Sequence, residues 1–210
     1  MFKRIITTAI LTLFVAGLAI AQDKTVVPEK KVEKPMAKKN PIVEIKTNMG
    51  SFYLEVFENE TPIHAKNFLA KVDAGKYDGL TFHRVVGGFV IQGGDPTGTG
   101  SGSMGEDRLA DETSPFPQLP GTVAMARSQM GASNCQFYVN LKDNTFLDKQ
   151  KFSSFAKVVQ GMDVVNKIAK VSVDANDKPL EPVVMQKLSR VEKLPAAQTA
   201  APKKDTPESK

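Results

Sequence analysis

The chain has 210 residues, of which 41% are hydrophobic and 24% charged, a balance that excludes a disordered protein and allows one sizeable core. Its net charge of +5 arises outside the centre, because residues 41–194 hold 17 basic and 18 acidic residues while 22–40 hold six Lys and three acids. The folded part is therefore near neutral, and nucleic-acid binding is not expected.

The N-terminus predicts a secretory signal peptide over residues 1–21. Two basic residues precede an apolar run over 5–20, and the run ends in the small-residue pattern Ala-Ile-Ala at 19–21. Cleavage would release a periplasmic or secreted protein with no stable insertion in the membrane. Because a run of 16 residues approaches the roughly 20 that a membrane span needs, an uncleaved anchor is the alternative.

Two low-complexity segments flank the predicted domain. Residues 22–40, rich in Lys, Glu and Pro, predict a flexible linker, and 195–210, rich in Ala, Pro and Lys, predict a disordered tail. A single domain over 41–194 lies between them. The Lys residues of the linker also allow a different function, that of a scaffold held on an anionic membrane surface.

Cysteine and histidine are scarce in this chain. Cys135 is the only cysteine, so no intramolecular disulfide can form, and a small buried residue is expected there. A catalytic thiol would need a nearby base, and only His64 and His83 are available. No zinc-binding spacing of Cys or His occurs, and no metal is expected.

The first elements of the domain are a β-hairpin and a helix. Apolar and polar residues alternate over 42–57 on both sides of an Asn-Met-Gly turn, which predicts the hairpin. The helix that follows has Thr61 as a candidate N-cap, Pro62 in its first turn and Gly75 at its far end. His64, in the first turn, is expected to be solvated.

The rest of the domain predicts mainly strands. Short apolar stretches bounded by turn residues predict strands at 80–95, 122–126, 135–141, 154–159 and 181–191. Residues 161–171 predict a second helix with Val164, Val165 and Ile168 facing inward. Many short strands with two helices favour an antiparallel sheet that closes on itself, because closure removes exposed edges.

A glycine-rich loop contains one match to a dinucleotide-binding pattern. Gly100, Gly102 and Gly105 fit G-x-G-x-x-G, which in such proteins opens a helix. Residues 107–121 follow instead and contain three prolines, which forbid a long helix. A surface loop is therefore expected, and no cofactor.

Five motifs in order resemble one known family, the cyclophilin peptidyl-prolyl cis-trans isomerases: FHRVVGGFVIQGGD (82–95), GTVAMAR (121–127), CQFYVNL (135–141), FLD (146–148) and FAKVVQGMDVV (155–165). The resemblance covers about residues 41–192. With the export signal, the chain is most similar to the bacterial periplasmic members. The resemblance implies a mainly β fold, a closed eight-stranded antiparallel β-barrel capped by two α-helices.

The resemblance also assigns the site. It implies that Arg84 is the catalytic arginine and Gln92 the glutamine of the groove. The implied substrate-binding residues are Phe89, Val90, Ala126, Arg127, Gln136, Tyr138, Phe146, Leu147 and Phe152. The expected partners are proline-containing polypeptides, and the protein is expected to be a monomer.

Several of these positions depart from the family pattern. Val90 stands where many members have methionine, and Arg127 replaces an asparagine whose backbone binds substrate. Tyr138 adds a hydroxyl that must find a partner or reach water. Phe146 replaces the tryptophan of eukaryotic members, so cyclosporin-like ligands are expected to bind only weakly.

Arg84 is a permanent charge within a segment that the pattern predicts to be a buried strand. If the strand lines an open groove, the guanidinium can point into it, whereas the alternative role is an ion pair with an acid on a neighbouring strand. His83, on the opposite face, is expected to pack or hydrogen-bond. The predicted function is isomerisation of X-Pro bonds, and the alternative is a non-catalytic proline-peptide binding module or chaperone.

Overall fold

The computed structural model describes residues 39–105 and 108–196. The predicted signal peptide and nearly all of the predicted linker and tail lie outside these residues. The described elements are, in chain order, β1 (Ile42–Thr47), β2 (Gly50–Val56), α1 (Pro62–Asp73), β3 (Arg84–Val86), β4 (Val90–Gly93), β5 (Thr122–Ser128), β6 (Gly131–Asn140), a 3-10 helix (Thr145–Gln150), β7 (Ser154–Gln160), α2 (Met162–Ile168) and β8 (Met185–Val191). None of the helices in this part of the chain is long and apolar enough to cross a membrane.

The eight strands form one antiparallel sheet in the order β3-β4-β6-β5-β7-β2-β1-β8. The prediction of a closed barrel is wrong, because β3 and β8 are the two ends of the sheet and no ladder joins them within the described residues. The segment before β3 bonds to the start of β8: the N–H groups of Gly79 and Phe82 donate to the carbonyls of Met185 and Val183, and Thr81 and Val184 form an isolated bridge. The N–H of Val85 in β3 instead donates to the carbonyl of Asp177, 2.8 Å away, in the loop before β8. That loop occupies the edge that closure would need.

The hairpin of β1 and β2 confirms the strongest alternation in the sequence. Val43 and Ile45 in β1, and Phe52 and Leu54 in β2, are fully buried, while the intervening residues are partly or fully exposed. Burying one such side chain contributes about 1.5–3 kcal/mol relative to exposure. Because one face carries all of these residues, the register of the hairpin is fixed by the core beneath it.

The helix α1 packs one face on the core, but its N-terminus is not capped by Thr61. The Thr61 hydroxyl donates to a backbone carbonyl of the preceding turn, 3.0 Å away. The carboxylate of Glu112 caps the helix instead, accepting the N–H groups of Ile63 at 2.8 Å and His64 at 3.0 Å. An acid at this end also interacts favourably with the helix dipole.

The expectation that His64 is solvated is therefore wrong. The segment that carries Glu112 covers the first turn of α1 and leaves His64 only 1% exposed. Its Nε2 lies 3.2 Å from the carbonyl of Ala110 on the same segment. The burial of this histidine depends on a contact 46 residues away along the chain, which no local pattern reveals.

The part of the sheet formed by β3, β4, β6 and β5 has apolar groups on both faces. Along β6, Phe137 and Val139 enter the main core, whereas Tyr138 belongs to a second, smaller cluster on the opposite face. Nine of the ten β6 residues are buried, which is the pattern of a strand covered on both sides. The second cluster forms the floor of the site.

Candidate active site

Arg84 and Gln92 are cross-strand partners in the β3–β4 pair. Side chains directly opposite each other leave the sheet on the same face. The neighbouring pair, Val85 and Ile91, points the other way and is buried in the main core. Alternation along two short strands thus places the arginine and the glutamine together over the outer face of the sheet, as the sequence predicted for Arg84.

Beside them lies an open pocket of about 180 Å³. Its lining includes nine of the eleven predicted site residues: Arg84, Phe89, Val90, Gln92, Ala126, Arg127, Tyr138, Leu147 and Phe152. The volume is below the 300–1,000 Å³ of pockets that enclose drug-sized ligands, so it suits a single ring or side chain. Phe152 is therefore in the lining together with the other implied substrate-binding residues.

The floor of the pocket is apolar and densely packed. Val90, Ala124, Tyr138 and Leu147 are buried there, and Phe152 packs its ring edge-on against Tyr138 at 5.9 Å between centroids. An apolar floor of this kind favours an uncharged ring and offers little to an ionic group.

The hydroxyl of Tyr138 has a hydrogen-bond partner inside the protein. It donates to Oε1 of Gln118 at 3.0 Å, and the same oxygen accepts from Nδ2 of Asn140 at 2.7 Å. Burial raises the pKa of Tyr138 far above its ordinary value, and the charge of Asp148 raises it further. The phenol is therefore neutral at any physiological pH and acts as a fixed wall of the pocket.

Gln136 is one of the two predicted site residues outside the pocket lining, and it supports Gln92 from behind. Nε2 of Gln92 donates to Oε1 of Gln136 at 3.0 Å. The amide of Gln136 then donates to the carbonyls of Gly100 and Gly102, both at 3.0 Å. The glycine-rich loop thus orients the groove glutamine through one buried amide.

Phe146 is the other predicted residue outside the lining. It is 52% exposed and lies parallel to Phe89, with 6.3 Å between ring centroids. On the other side, the ammonium group of Lys142 lies 5.9 Å from the Phe89 ring. Phe146 therefore extends the apolar rim of the site, next to the pocket and not within it.

Arg127 reaches across the opposite rim. Its guanidinium bonds the carboxylate of Asp111, which also accepts from Nζ of Lys151 at 3.1 Å. These two contacts, the bond from Arg127 first, lower the pKa of Asp111. The side chain of Arg127 is thus engaged on the rim, and the main-chain role expected for this residue stays a prediction.

His83 is buried at 7% exposure, and neither ring nitrogen has a hydrogen-bond partner in the described part of the chain. Burial lowers its pKa, and the charges of Arg84 and Lys178 add to that effect while Asp95 opposes it. The ring is thus a neutral packing group, one of the two roles expected for it.

Three residues around the site were not predicted from the sequence. Gln118 holds Tyr138, Asp95 anchors the glycine-rich loop, and Asp177 lies 3.5 Å from Nη2 of Arg84. Asp177 is the acid that the ion-pair alternative for Arg84 required, although it comes from a loop and not from a strand. A polar residue next to a turn gives no local signal for such long-range contacts.

The arrangement can bind and polarise without making a covalent bond. It combines fixed donors, Arg84 and Gln92, with an apolar pocket the size of one ring. Among the described residues no group of three His, Cys, Asp or Glu is placed to hold a metal ion. An eight-stranded antiparallel sheet with an arginine and an apolar pocket on its outer face fits the class of the prolyl isomerases, which the sequence motifs resemble.

Comparison with known proteins identifies the family. The model of the cyclophilin type peptidyl-prolyl cis-trans isomerase family matches residues 42–190, and the chain belongs to that family. Peptidyl-prolyl cis-trans isomerase-like 1 of Rhizopus delemar is 40% identical over 136 residues, which are 63% of this chain and 82% of the relative. A peptidyl-prolyl cis-trans isomerase of Acinetobacter baylyi is 39% identical over 138 residues, 63% of this chain and 73% of the relative.

Solved structures agree with this assignment. A crystal structure of a Cryptosporidium parvum cyclophilin type peptidyl-prolyl cis-trans isomerase has a TM-score of 0.68 at 28% identity, covering 74% of this chain and 99% of that one. A second structure of that protein, with a TM-score of 0.66, was determined in the presence of the dipeptide Ala-Pro. The enzyme class of this chain is therefore peptidyl-prolyl cis-trans isomerase.

Proposed function

We propose that this isomerase acts on X-Pro bonds of exported polypeptides during their folding, with Arg84 as the directional hydrogen-bond donor. The observation that carries the proposal is the placement of Arg84 and Gln92 on one face of the β3–β4 pair, beside a pocket of about 180 Å³ with an apolar floor. The proline ring would occupy that pocket, and the chain on the other side of the bond would lie along Gln92 and the backbone of Arg127.

The chemistry requires rotation only. Twisting the bond breaks amide resonance at a barrier of about 18–20 kcal/mol. A five-decade acceleration corresponds to roughly 7 kcal/mol of preferential transition-state stabilisation, at about 1.36 kcal/mol per decade. No nucleophile, metal or cofactor is needed, because no covalent bond is made or broken.

Arg84 would supply part of this stabilisation. As the bond twists, the prolyl nitrogen becomes pyramidal and basic, and a guanidinium N–H can donate to it. A hydrogen bond to a charged group contributes about 1.5–3 kcal/mol, so Arg84 alone does not reach the total. The apolar pocket formed by Phe89, Tyr138 and Leu147 would supply more, since it disfavours the polar planar amide relative to the twisted one.

The test is a turnover measurement on a blocked Ala-Pro peptide by exchange NMR, with protein far below peptide concentration. The wild type is expected to accelerate exchange, and Arg84→Ala to lose most of that acceleration while keeping its melting temperature. Equal rates in the two proteins would refute the role of Arg84. Peptide binding without turnover in the wild type would favour the alternative, a non-catalytic binding module or chaperone.

The exported setting is supported by the sequence of the N-terminus, with its short basic start, apolar run and small-residue ending. It is also the basis for proposing the bacterial periplasmic type within the family. The intact mass of the protein recovered from the periplasm or the medium tests both. Loss of the first 21 residues is expected, and a full-length protein in the membrane fraction would instead identify an uncleaved anchor.

A further inference from the structure

We propose that Asp177 is a positioning residue for Arg84, one that holds the guanidinium over the groove from outside the sheet. The inference rests on the proposed role of Arg84 in catalysis. It concerns the loop between α2 and β8, for which the sequence predicts no function.

This loop is attached to β3 at two successive residues. The carbonyl of Asp177 accepts the N–H of Val85 at 2.8 Å, and its carboxylate lies 3.5 Å from Nη2 of Arg84. Val85 is 2% exposed and packs in the main core, so the backbone of Asp177 is tied to a rigid position. A carboxylate on such a backbone has little freedom to move away from its arginine.

The loop itself is a defined turn. Oδ1 of Asp174 accepts the N–H groups of Asn176 at 2.8 Å and Lys178 at 3.0 Å. Asp177 has a φ of 63°, a left-handed conformation that Asp, Asn and Gly adopt more readily than other residues. Aspartate at position 177 is thus compatible with the backbone conformation that the turn requires.

The ion pair with Asp177 leaves N–H donors of Arg84 available to a substrate. Arginine carries five N–H donors, and the carboxylate of Asp177 lies 3.5 Å from Nη2, at one edge of the guanidinium. Within residues 39–105 and 108–196 this is the one ion pair of Arg84, and its guanidinium donates no hydrogen bond there. Without Asp177 the side chain of Arg84, 39% exposed, would sample other rotamers over an open groove.

The experiment compares Asp177→Asn and Asp177→Gly with the wild type and with Arg84→Ala. Both Asp177 variants keep a residue that tolerates the left-handed turn, and both remove the charge. Because an exposed ion pair contributes little, kcat on an uncharged Ala-Pro peptide is expected to fall about two- to fivefold with KM unchanged. Asp163→Asn, on the exposed first turn of α2, makes the same change in net charge elsewhere and is expected to match the wild type.

Two further readouts separate positioning from a structural role. The Nε–H of Arg84, followed by NMR relaxation, should become more mobile in both Asp177 variants at unchanged melting temperature. Raising the salt concentration to about 1 M, where charges are screened beyond roughly 3 Å, should lower the wild-type kcat towards that of Asp177→Asn and leave the variant unchanged.

The outcomes distinguish the two hypotheses. If Arg84→Ala loses activity while both Asp177 variants keep the wild-type kcat and Arg84 mobility, the positioning role is wrong and the proposed function stands. A change in KM alone would mean that Asp177 contacts the substrate, which also overturns the inference. Full activity of Arg84→Ala would instead remove the proposed function on which the inference rests.

Discussion

Arg84 and Gln92 face each other across β3 and β4, yet each is held by a different part of the chain. Gln92 is oriented by Gln136, whose amide is buried and bonded to the glycine-rich loop. Arg84 is paired with the partly exposed carboxylate of Asp177. The backbone register determines the face of the sheet from which the two side chains emerge, and these contacts orient the ends of the side chains.

The contact behind Gln92 predicts that Gln136→Met impairs catalysis from outside the pocket. Methionine is close in shape but cannot donate to the carbonyls of Gly100 and Gly102 or accept from Gln92. Losing these bonds is expected to cost about 1–3 kcal/mol of stability per buried unsatisfied group. We expect kcat/KM in the exchange assay to fall about tenfold, which is about 1.36 kcal/mol. A folded Gln136→Met protein with wild-type kcat/KM would contradict this role.

The hydroxyl of Tyr138 predicts a small effect for Tyr138→Phe. Oε1 of Gln118 keeps the bond from Asn140 at 2.7 Å, so no buried acceptor is left without a partner. We expect the free energy of unfolding to fall by about 0.5–1.5 kcal/mol and kcat/KM to stay within twofold. The matched variant Gln118→Leu leaves the Tyr138 hydroxyl without its acceptor and removes one of the three acceptors of Asn140 Nδ2, so denaturant unfolding should show a larger loss. Equal losses in the two variants would argue against this network.

The features that the sequence predicted correctly depend on the periodicity of the strands and on the ordered motifs. Alternation located the β1–β2 hairpin and the side of the strand from which Arg84 emerges, and the ordered motifs located nine residues that line the pocket. These features depend on neighbours along the chain or on short strands with a fixed period of two. Phe152, which follows the 3-10 helix Thr145–Gln150 after Lys151, also lies in the pocket lining.

The errors arise where irregular segments make long-range contacts. Glu112, not Thr61, caps α1, and the same segment buries His64. Asp177 accepts a hydrogen bond from the edge of β3, and β3 and β8 are the two ends of the open sheet. Each of these acids lies in a loop without periodicity and more than 40 residues from its partner, so local propensity carries no information about the contact.

Cys135 is predicted to be unreactive in the native protein. It is fully buried, and burial raises the pKa of its thiol, so little thiolate is present at neutral pH. Its sulfur contacts are weak, at 3.8 Å to the hydroxyl of Ser133 and to the carbonyl of Gly102. A chromogenic disulfide reagent that reacts with free thiols should detect no thiol at pH 8 in buffer and one thiol per chain in denaturant. Rapid labelling in buffer would show that the glycine-rich loop opens.

Phe146 predicts how this isomerase responds to cyclosporin. The ring is 52% exposed at the rim, and phenylalanine lacks the N–H donor of the tryptophan that the family resemblance implies at this position in eukaryotic members. Phe146→Trp is therefore expected to tighten cyclosporin binding at least tenfold, measured by inhibition of exchange. Turnover without inhibitor should change less than twofold, because Phe146 does not line the pocket. An unchanged inhibition constant would place the barrier to binding elsewhere in the groove.

Asp95 predicts how stability depends on pH. Burial by itself would raise its pKa, but the backbone N–H groups of Thr97, Gly102 and Gly100, with the Thr97 hydroxyl, outweigh burial and lower the pKa. The shortest of these contacts joins Oδ2 to the N–H of Gly100 at 2.6 Å. A carboxyl group whose pKa is lower in the folded state stabilises that state above its unfolded pKa of about 3.9, and the contribution disappears as pH falls through the folded value.

Asp95→Asn is therefore expected to be less stable than the wild type at pH 7 and to approach it in acid. An amide can accept at one oxygen only and turns its Nδ2 towards N–H donors, so about 1.5–3 kcal/mol for the lost charge-assisted bond is the expected difference at pH 7. Urea unfolding at pH 7, 5 and 3 should show a constant difference between pH 7 and 5 and a smaller one at pH 3. Glu192→Gln, which removes one negative charge at an exposed position after β8, is the control and should track the wild type. If the difference between Asp95→Asn and the wild type were the same at all three pH values, the loss would reflect packing and not the charge of Asp95.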